Sequence, residues 1–188
     1  MKIIKKKILS DSFVFSKICI SNPTPQIDFS HLNTLLGSRF VFFSLLNPFL
    51  IRTSLKSGLL ALEAFLANKY KLIFIVNIEN QILLNKFYQV CKKKKIIFIK
   101  SSDISLGSLT SSRVTKSVLV TLFLPSPKME TIQKEAALIG MPILSFGNLL
   151  TNKNSSTLFI AGNYSIFTIQ NLILTLITIC LEKKNESA

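Results

Sequence analysis

Five short, dominantly apolar runs punctuate this chain, interrupted only by Thr121 and Ser145: residues 72–76 (LIFIV), 96–99 (IIFI), 118–124 (VLVTLFL), 143–146 (ILSF) and 158–160 (LFI). A strand with one face in water alternates apolar and polar residues, so dominantly apolar runs bounded by turn residues mark strands buried on both faces. The segments between them carry a helical period. Over 54–69, Leu55, Leu59, Leu62 and Leu66 fall at spacings of 4, 3 and 4, and over 78–91 Leu83, Phe87 and Val90 share one side. A third helix is framed by its ends, with Ser126 as N-cap, Pro127 at the first helical position, and Gly140 with Pro142 closing it. Strands alternating with helices in this way require a mainly parallel sheet joined by right-handed crossovers and covered on both faces. The expected fold class is therefore α/β, a three-layer α/β/α arrangement around a five-stranded sheet.

The two ends of the chain read differently. Residues 1–30 begin with Lys2, Lys5, Lys6 and Lys7, contain Asp11 and Lys17 within their apolar stretch, and end in the turn-rich SNPTPQIDFS. No secretory signal fits them, and a mitochondrial presequence would carry arginine and no acid, so a chain working in an organelle is expected to be made there. They are read as a basic extension, with a single domain over 31–188. At the other end, 164–182 is nearly long enough to span a membrane, yet Ser165, Thr168, Asn171, Thr175, Thr178 and Glu182 recur at spacings of 3, 3, 4, 3 and 4. A polar stripe of that regularity marks an amphipathic helix docked on a core, with an interfacial or membrane helix as its rival.

Charge indicates a partner. The 188 residues hold 23 Lys plus Arg against 9 Asp plus Glu, a formal charge of +14, although only 17% of residues are charged. Such an excess suits a polyanion, while 48% hydrophobic residues and a mean hydropathy of +0.45 exclude a disordered basic tail. Only Arg39, Arg52 and Arg113 are arginine, so 23 − 3 leaves 20 lysines, beside 15 Phe. No folding principle favours lysine so heavily. The bias points to A/T-rich codons and an organelle or reduced genome. Cys19, Cys91 and Cys180 are odd in number and far apart, which offers neither a disulfide framework nor a metal knuckle and fits buried thiols in a reducing compartment.

The signatures of chemistry are missing. No two of the six glycines stand in a GxGxxG or GxxxxGK relation, so no phosphate-cradling loop is expected. His31, the one histidine, precedes the first sheet strand, and Glu63, Glu79, Asp103, Glu130 and Glu135 are scattered across the sheet region. The expectation is a non-enzyme with no cofactor, metal or small-molecule substrate.

The order of elements then meets particular residues. From Ser57 to Ala188 the chain resembles the ribosomal protein S two family, the universal second protein of the small subunit. Leu59 to Val76, with the Leu62-Glu63 pair running into KLIFIV, is similar to the family's ALEFI … ILFVG segment, and Leu106 to Ser111 to its LGGxLTN loop. Leu122 to Phe146, with Glu135-Ala136 and Leu138 to Ile143, resembles FVxD … EAxxLGIPVIA. Ile160 to Asn163 resembles IPGN ahead of a closing helix, and His31 to Arg39 is a fainter likeness to the N-terminal HxGH … RxWNP region. The chain departs from the family in lacking its Trp, in Ala161 for the proline, in Tyr164-Ser165 for the following acids, and in having only Ser112 to Ser117 where bacterial members insert a helical coiled coil.

The resemblance implies a flavodoxin-like sheet in a structural component of the small ribosomal subunit, with no catalytic residues. It implies small-subunit rRNA and neighbouring small-subunit ribosomal proteins as partners, without membrane insertion. The divergence and the codon bias place it in a mitochondrion ahead of a plastid. Two other classes share some of these features: a flavodoxin-like module for a small ligand, and a membrane-associated basic protein. Candidate RNA contacts are Lys5, Lys6 and Lys7, then Arg39, Arg52 and Lys56, then Lys92, Lys93, Lys94 and Lys95, and finally Arg113 and Lys116. For each the alternative is a solvated charge. Gly107, Leu109, Thr110, Gly162 and Asn163 mark the family-like loops; the glycines and Asn163 read as loop geometry ahead of RNA contact.

Overall fold

The computed structural model describes residues 18–21, 35–39, 43–105, 107–111, 116–124, 127–147 and 156–182. Three short strands come first, β1 (Ile20–Ser21), β2 (Leu35–Arg39) and β3 (Phe43–Leu46), in an antiparallel sheet of order β1-β3-β2. Helix α1 (Pro48–Ala67) leads into β4 (Lys71–Val76), α2 (Gln81–Lys93) into β5 (Ile97–Lys100), and the short α3 (Ser108–Ser111) precedes β6 (Ser117–Leu124). Helix α4 (Pro127–Leu138), β7 (Ile143–Gly147), β8 (Leu158–Ala161) and α5 (Phe167–Glu182) complete the described chain.

The five later strands form one sheet, order β5-β4-β6-β7-β8, every pair parallel. Numbered from β4, this is the 2-1-3-4-5 order of a flavodoxin-like fold, with its switch point between β4 and β6. Alternation along the strands divides the core. Leu72, Phe74, Val76, Val118, Val120, Leu122, Leu144, Phe146 and Ile160 face α1, α2 and α5, while Ile73, Ile75, Leu119 and Ile143 face Met129, Ile132 and Ala136 of α4. The sheet is the middle of three layers. Edge strand β5 is the least buried, with Ile97 about half exposed.

The helices start where their caps are. The Leu55 stripe suggested a start at residue 54, but α1 begins at Pro48, because Asn47 accepts from the Phe49 amide at 3.0 Å and proline suits the first helical position. Likewise α2 starts at Gln81, not 78, since Asn80 Oδ1 accepts from the Ile82 and Leu83 amides at 3.0 and 3.2 Å. Helix α4 begins at Pro127, and the expected cap Ser126 lies outside the described residues. In α5, Ser165 just ahead of the helix and Thr168, Asn171, Thr175 and Glu182 within it are exposed, and Ile169, Ile173, Leu176, Ile177 and Cys180 are buried. Among the described residues no helix is long and apolar enough to cross a membrane.

Two features had no sequence signal. Residues 18–21, read as part of an extension, belong to the fold: Ile18 is 1% exposed in the larger core, and Ile20 pairs with Leu45. In β6, Phe123 has φ +62° at the register shift between Leu122 and Leu124, so Leu122 and Phe123 bury their side chains in the same core. A left-handed phenylalanine is a rare bulge residue; here its ring packs 5.6 Å from that of Tyr164, whose buried phenol donates to the Ile160 carbonyl at 3.1 Å.

Candidate nucleic-acid interface

Doubly wound sheets receive ligands beyond the C-terminal ends of their strands, at the switch point. Here β4 is followed by Asn77 to Asn80, and Ser101 Oγ donates to Asn77 Oδ1 at 3.1 Å. The first amides of α2, which a phosphate would use in such a fold, are held by Asn80. A cavity of about 80 Å³ nearby is lined mainly by Ile75, Ile99, Ile104, Leu109 and Ile132, with Asp103 at its edge.

The opposite end of the sheet is cationic. Helix α1 finishes in paired hydrogen bonds, Lys69 amide to Leu66 carbonyl at 3.1 Å and Tyr70 amide to Phe65 carbonyl at 3.0 Å. Helix α2 finishes in the same way, Lys95 amide to Lys92 carbonyl at 3.2 Å and Ile96 amide to Cys91 carbonyl at 3.0 Å. This is the Schellman closure, whose pivotal residue is left-handed and usually glycine. Here the pivots are Lys69 at φ +59° and Lys95 at φ +54°, while α4 closes with Gly140 at φ +74°. Lys116, at φ +54°, leads into β6, and its carbonyl accepts from the Lys71 amide at 3.0 Å. A side chain in this backbone region costs about 1–2 kcal/mol relative to glycine.

Register brings these turns together. Ile73 pairs with Ile97 and Lys71 with Ser117, so the chain enters β5, β4 and β6 side by side, across about 10 Å at the usual strand spacing. Lys69, Lys71, Lys95 and Lys116 are exposed and Lys94 is half-buried. Between the ends of α1, α2 and α5 lies an open cleft of about 400 Å³, with Lys71, Lys94 and Lys95 around it and Leu66, Leu72 and Tyr70 in its walls. No Asp or Glu is among the described residues lining it.

The sequence candidates divide between places. Lys92 and Lys93 are exposed in the last turn of α2, and with Lys94, Lys95 and Lys116 they belong to this rim. Arg52 and Lys56 are exposed on the N-terminal half of α1, roughly 16–22 Å back along its axis from the rim. Arg39 is in β2, where its backbone pairs with Phe43. Lys5, Lys6, Lys7 and Arg113 lie outside the described residues. Lys69 and Lys71 were missed, although a lysine directly before the LIFIV run and another at the helix-to-strand turn were visible signals.

The family-like loops are tied to other elements. Gly107 has φ +81°, its amide donates to Glu135 Oε1 at 2.7 Å, its carbonyl accepts from Thr110 Oγ1 at 2.9 Å, and Leu109 is buried against α4. At Gly162 an added Cβ would come within 3.0 Å of Ile18 and Tyr164. Asn163 Nδ2 donates to the Ile20 carbonyl at 2.7 Å, and its amide donates to the Ile18 carbonyl at 3.1 Å.

The fold defines a doubly wound, flavodoxin-like α/β protein with a lysine-rich rim at the N-terminal end of its sheet. The chain matches no protein-family model, and no curated protein is similar enough to count as a relative.

Proposed function

We propose that this protein is a structural, non-catalytic component of a small ribosomal subunit of the S two type, working in a mitochondrion on rRNA and neighbouring ribosomal proteins. The observation that carries the reading is where the family-like stretches fall. They lie on α1 into β4, on the loop before β6, on α4 into β7 and on the turn after β8 of a 2-1-3-4-5 sheet, the frame the resemblance implies. Two of those stretches touch, through Gly107 and Glu135. The charge of +14 supports the same reading, because phosphate neutralisation and counterion release give affinity for structured RNA without base readout. The low-glycine strand ends, with Asn80 on the α2 amides, favour it over a small-ligand module.

Gradient sedimentation of organelle lysate, with the protein followed by mass spectrometry, tests the proposal. Co-migration with the small ribosomal subunit that weakens at high salt is the expected result. Sedimentation as a free protein or with membranes would overturn it.

A further inference from the structure

We infer that the N-terminal rim of the five-stranded sheet is the face that grips RNA, with Lys69, Lys95 and Lys116 on phosphates and the adjoining cleft holding an unpaired base. The inference rests on the RNA-binding reading above and adds to it the face used and the form of RNA taken.

Three lysines occupy left-handed positions on the turns into three neighbouring strands. The backbone at each favours glycine, and the chain does place glycine at positive φ elsewhere, at Gly107 and Gly140. The helix macrodipole favours a cation near the ends of α1 and α2, but Lys92 and Lys93 already supply one at α2 without a strained backbone, and Lys116 leads into a strand; an anion along the rim would favour lysine at all three turns. Each turn holds its residue at a fixed point beside the next, so the cations are spaced by the sheet itself.

The cleft supplies the second half of the argument. Its walls are apolar with one aromatic ring, Tyr70, and its border is Lys71, Lys94 and Lys95. The acid nearest in sequence is Glu182, which follows the lining residue Leu181 at the end of α5. An apolar, ring-bearing recess bordered by cations fits a base with its flanking phosphates. An A-form duplex keeps its bases stacked inside, so the base must come from a bulge, loop or single strand.

The test uses the full chain and two RNA hairpins of equal length, one with a single unpaired nucleotide in its stem and one fully paired, measured by fluorescence anisotropy over a salt series. The variant Lys69→Gly/Lys95→Gly/Lys116→Gly removes the charges while relaxing the backbone, so its melting temperature should hold or rise. Its affinity for the bulged hairpin should fall about tenfold or more and its salt slope by about 2, as loss of three phosphate contacts requires. Lys86→Ala/Lys128→Ala/Lys134→Ala removes three exposed charges elsewhere and should change affinity by less than about threefold if the rim is the contact face. If the parent binds and the glycine variant binds equally well with the same slope, the face is wrong. If the parent does not distinguish the hairpins, the cleft does not hold a base. If the parent binds neither RNA, the failure is that of the RNA-binding reading itself.

Discussion

Gly107 and Glu135 are joined by a 2.7 Å hydrogen bond from the glycine amide to Oε1 of the carboxylate, fixing the loop before β6 to the last turn of α4. The other oxygen, Oε2, is buried and has no hydrogen-bond partner among the described residues. Glu135→Ala leaves the amide without its charged acceptor, and a loss of about 1.5–3 kcal/mol is expected. Glu135→Gln retains an oxygen acceptor and should lose less. Urea midpoints at unchanged m-value measure both; an alanine variant as stable as the parent would mean the tie contributes nothing.

Helix α1 meets β8 through Gly58, where an added Cβ would stand 2.2 Å from Ile160 Cδ1 and 3.2 Å from its Cγ1. Alanine improves helix propensity by about 1 kcal/mol, but Ile160 is fully buried and the overlap costs about 1–3 kcal/mol. Gly58→Ala should therefore destabilise by up to about 2 kcal/mol. Ile160→Val removes the clashing methyl, so the double variant should be more stable than the sum of the two single changes predicts. Strict additivity in a double-mutant cycle would argue against the contact.

A polar cluster is sealed between β6, β7 and α4. Gln133 Nε2 donates to Thr121 Oγ1 and to Ser145 Oγ, each at 2.9 Å, and the hydroxyls of Thr121 and Ser156 lie 2.9 and 2.8 Å from that of Ser145. Thr121→Val keeps the shape and removes one partner of a buried amide, which should cost about 1–3 kcal/mol. Thr121→Val/Gln133→Leu/Ser145→Ala removes the cluster together and should lose less than the three single losses summed. Thermal unfolding of the parent, the three single variants and the triple variant decides it.

Burial pushes the Cys91 thiol up to about 12 and that of Cys19 up to about 11. Below about pH 7.5 both thiols are protonated whether the chain is folded or not, and they add no pH dependence. Above that pH the unfolded chain releases these protons and the folded chain retains them, so stability should fall as pH rises from about 9 toward 11–12. Cys91→Ala should flatten this alkaline decline. A disulfide reagent at pH 8 should react with all three thiols only after unfolding, because Cys19, Cys91 and Cys180 are buried.

The parallel sheet was legible because Leu72 to Val76 and Val118 to Leu122 face packed layers on both sides, and double burial leaves a run that is apolar throughout in the first and interrupted only by the buried Thr121 in the second. The exposed side of α5 was legible for the converse reason, since Thr168, Asn171 and Thr175 touch water at the helical period. Local chemistry at Asn47 and Asn80 moved helix starts that a hydrophobic stripe cannot locate. The pairing of Ile20 with Leu45 depends on two short segments meeting across a long interval, which leaves no periodic trace. Of the rim, the Lys92 to Lys95 run stood out as a block of charge, but Lys69 and Lys71 joined it only through the sheet order that places β4 between β5 and β6.

The strap from Asn163 to Ile18 and Ile20 also orders events in time. Its hydrogen bond to Ile20 joins residues 143 positions apart, so although β3 can pair with β1 early in synthesis, the strap that holds Ile18 and Ile20 beside the end of β8 cannot form until Asn163 has left the exit tunnel. Closure of that long loop therefore comes late, and contacts of such sequence separation raise the contact order that slows folding of the domain as a whole. Docking of Ile18 is thus a mark of completion, and a chain stalled before residue 163 would present its early core residues to whatever chaperone waits outside.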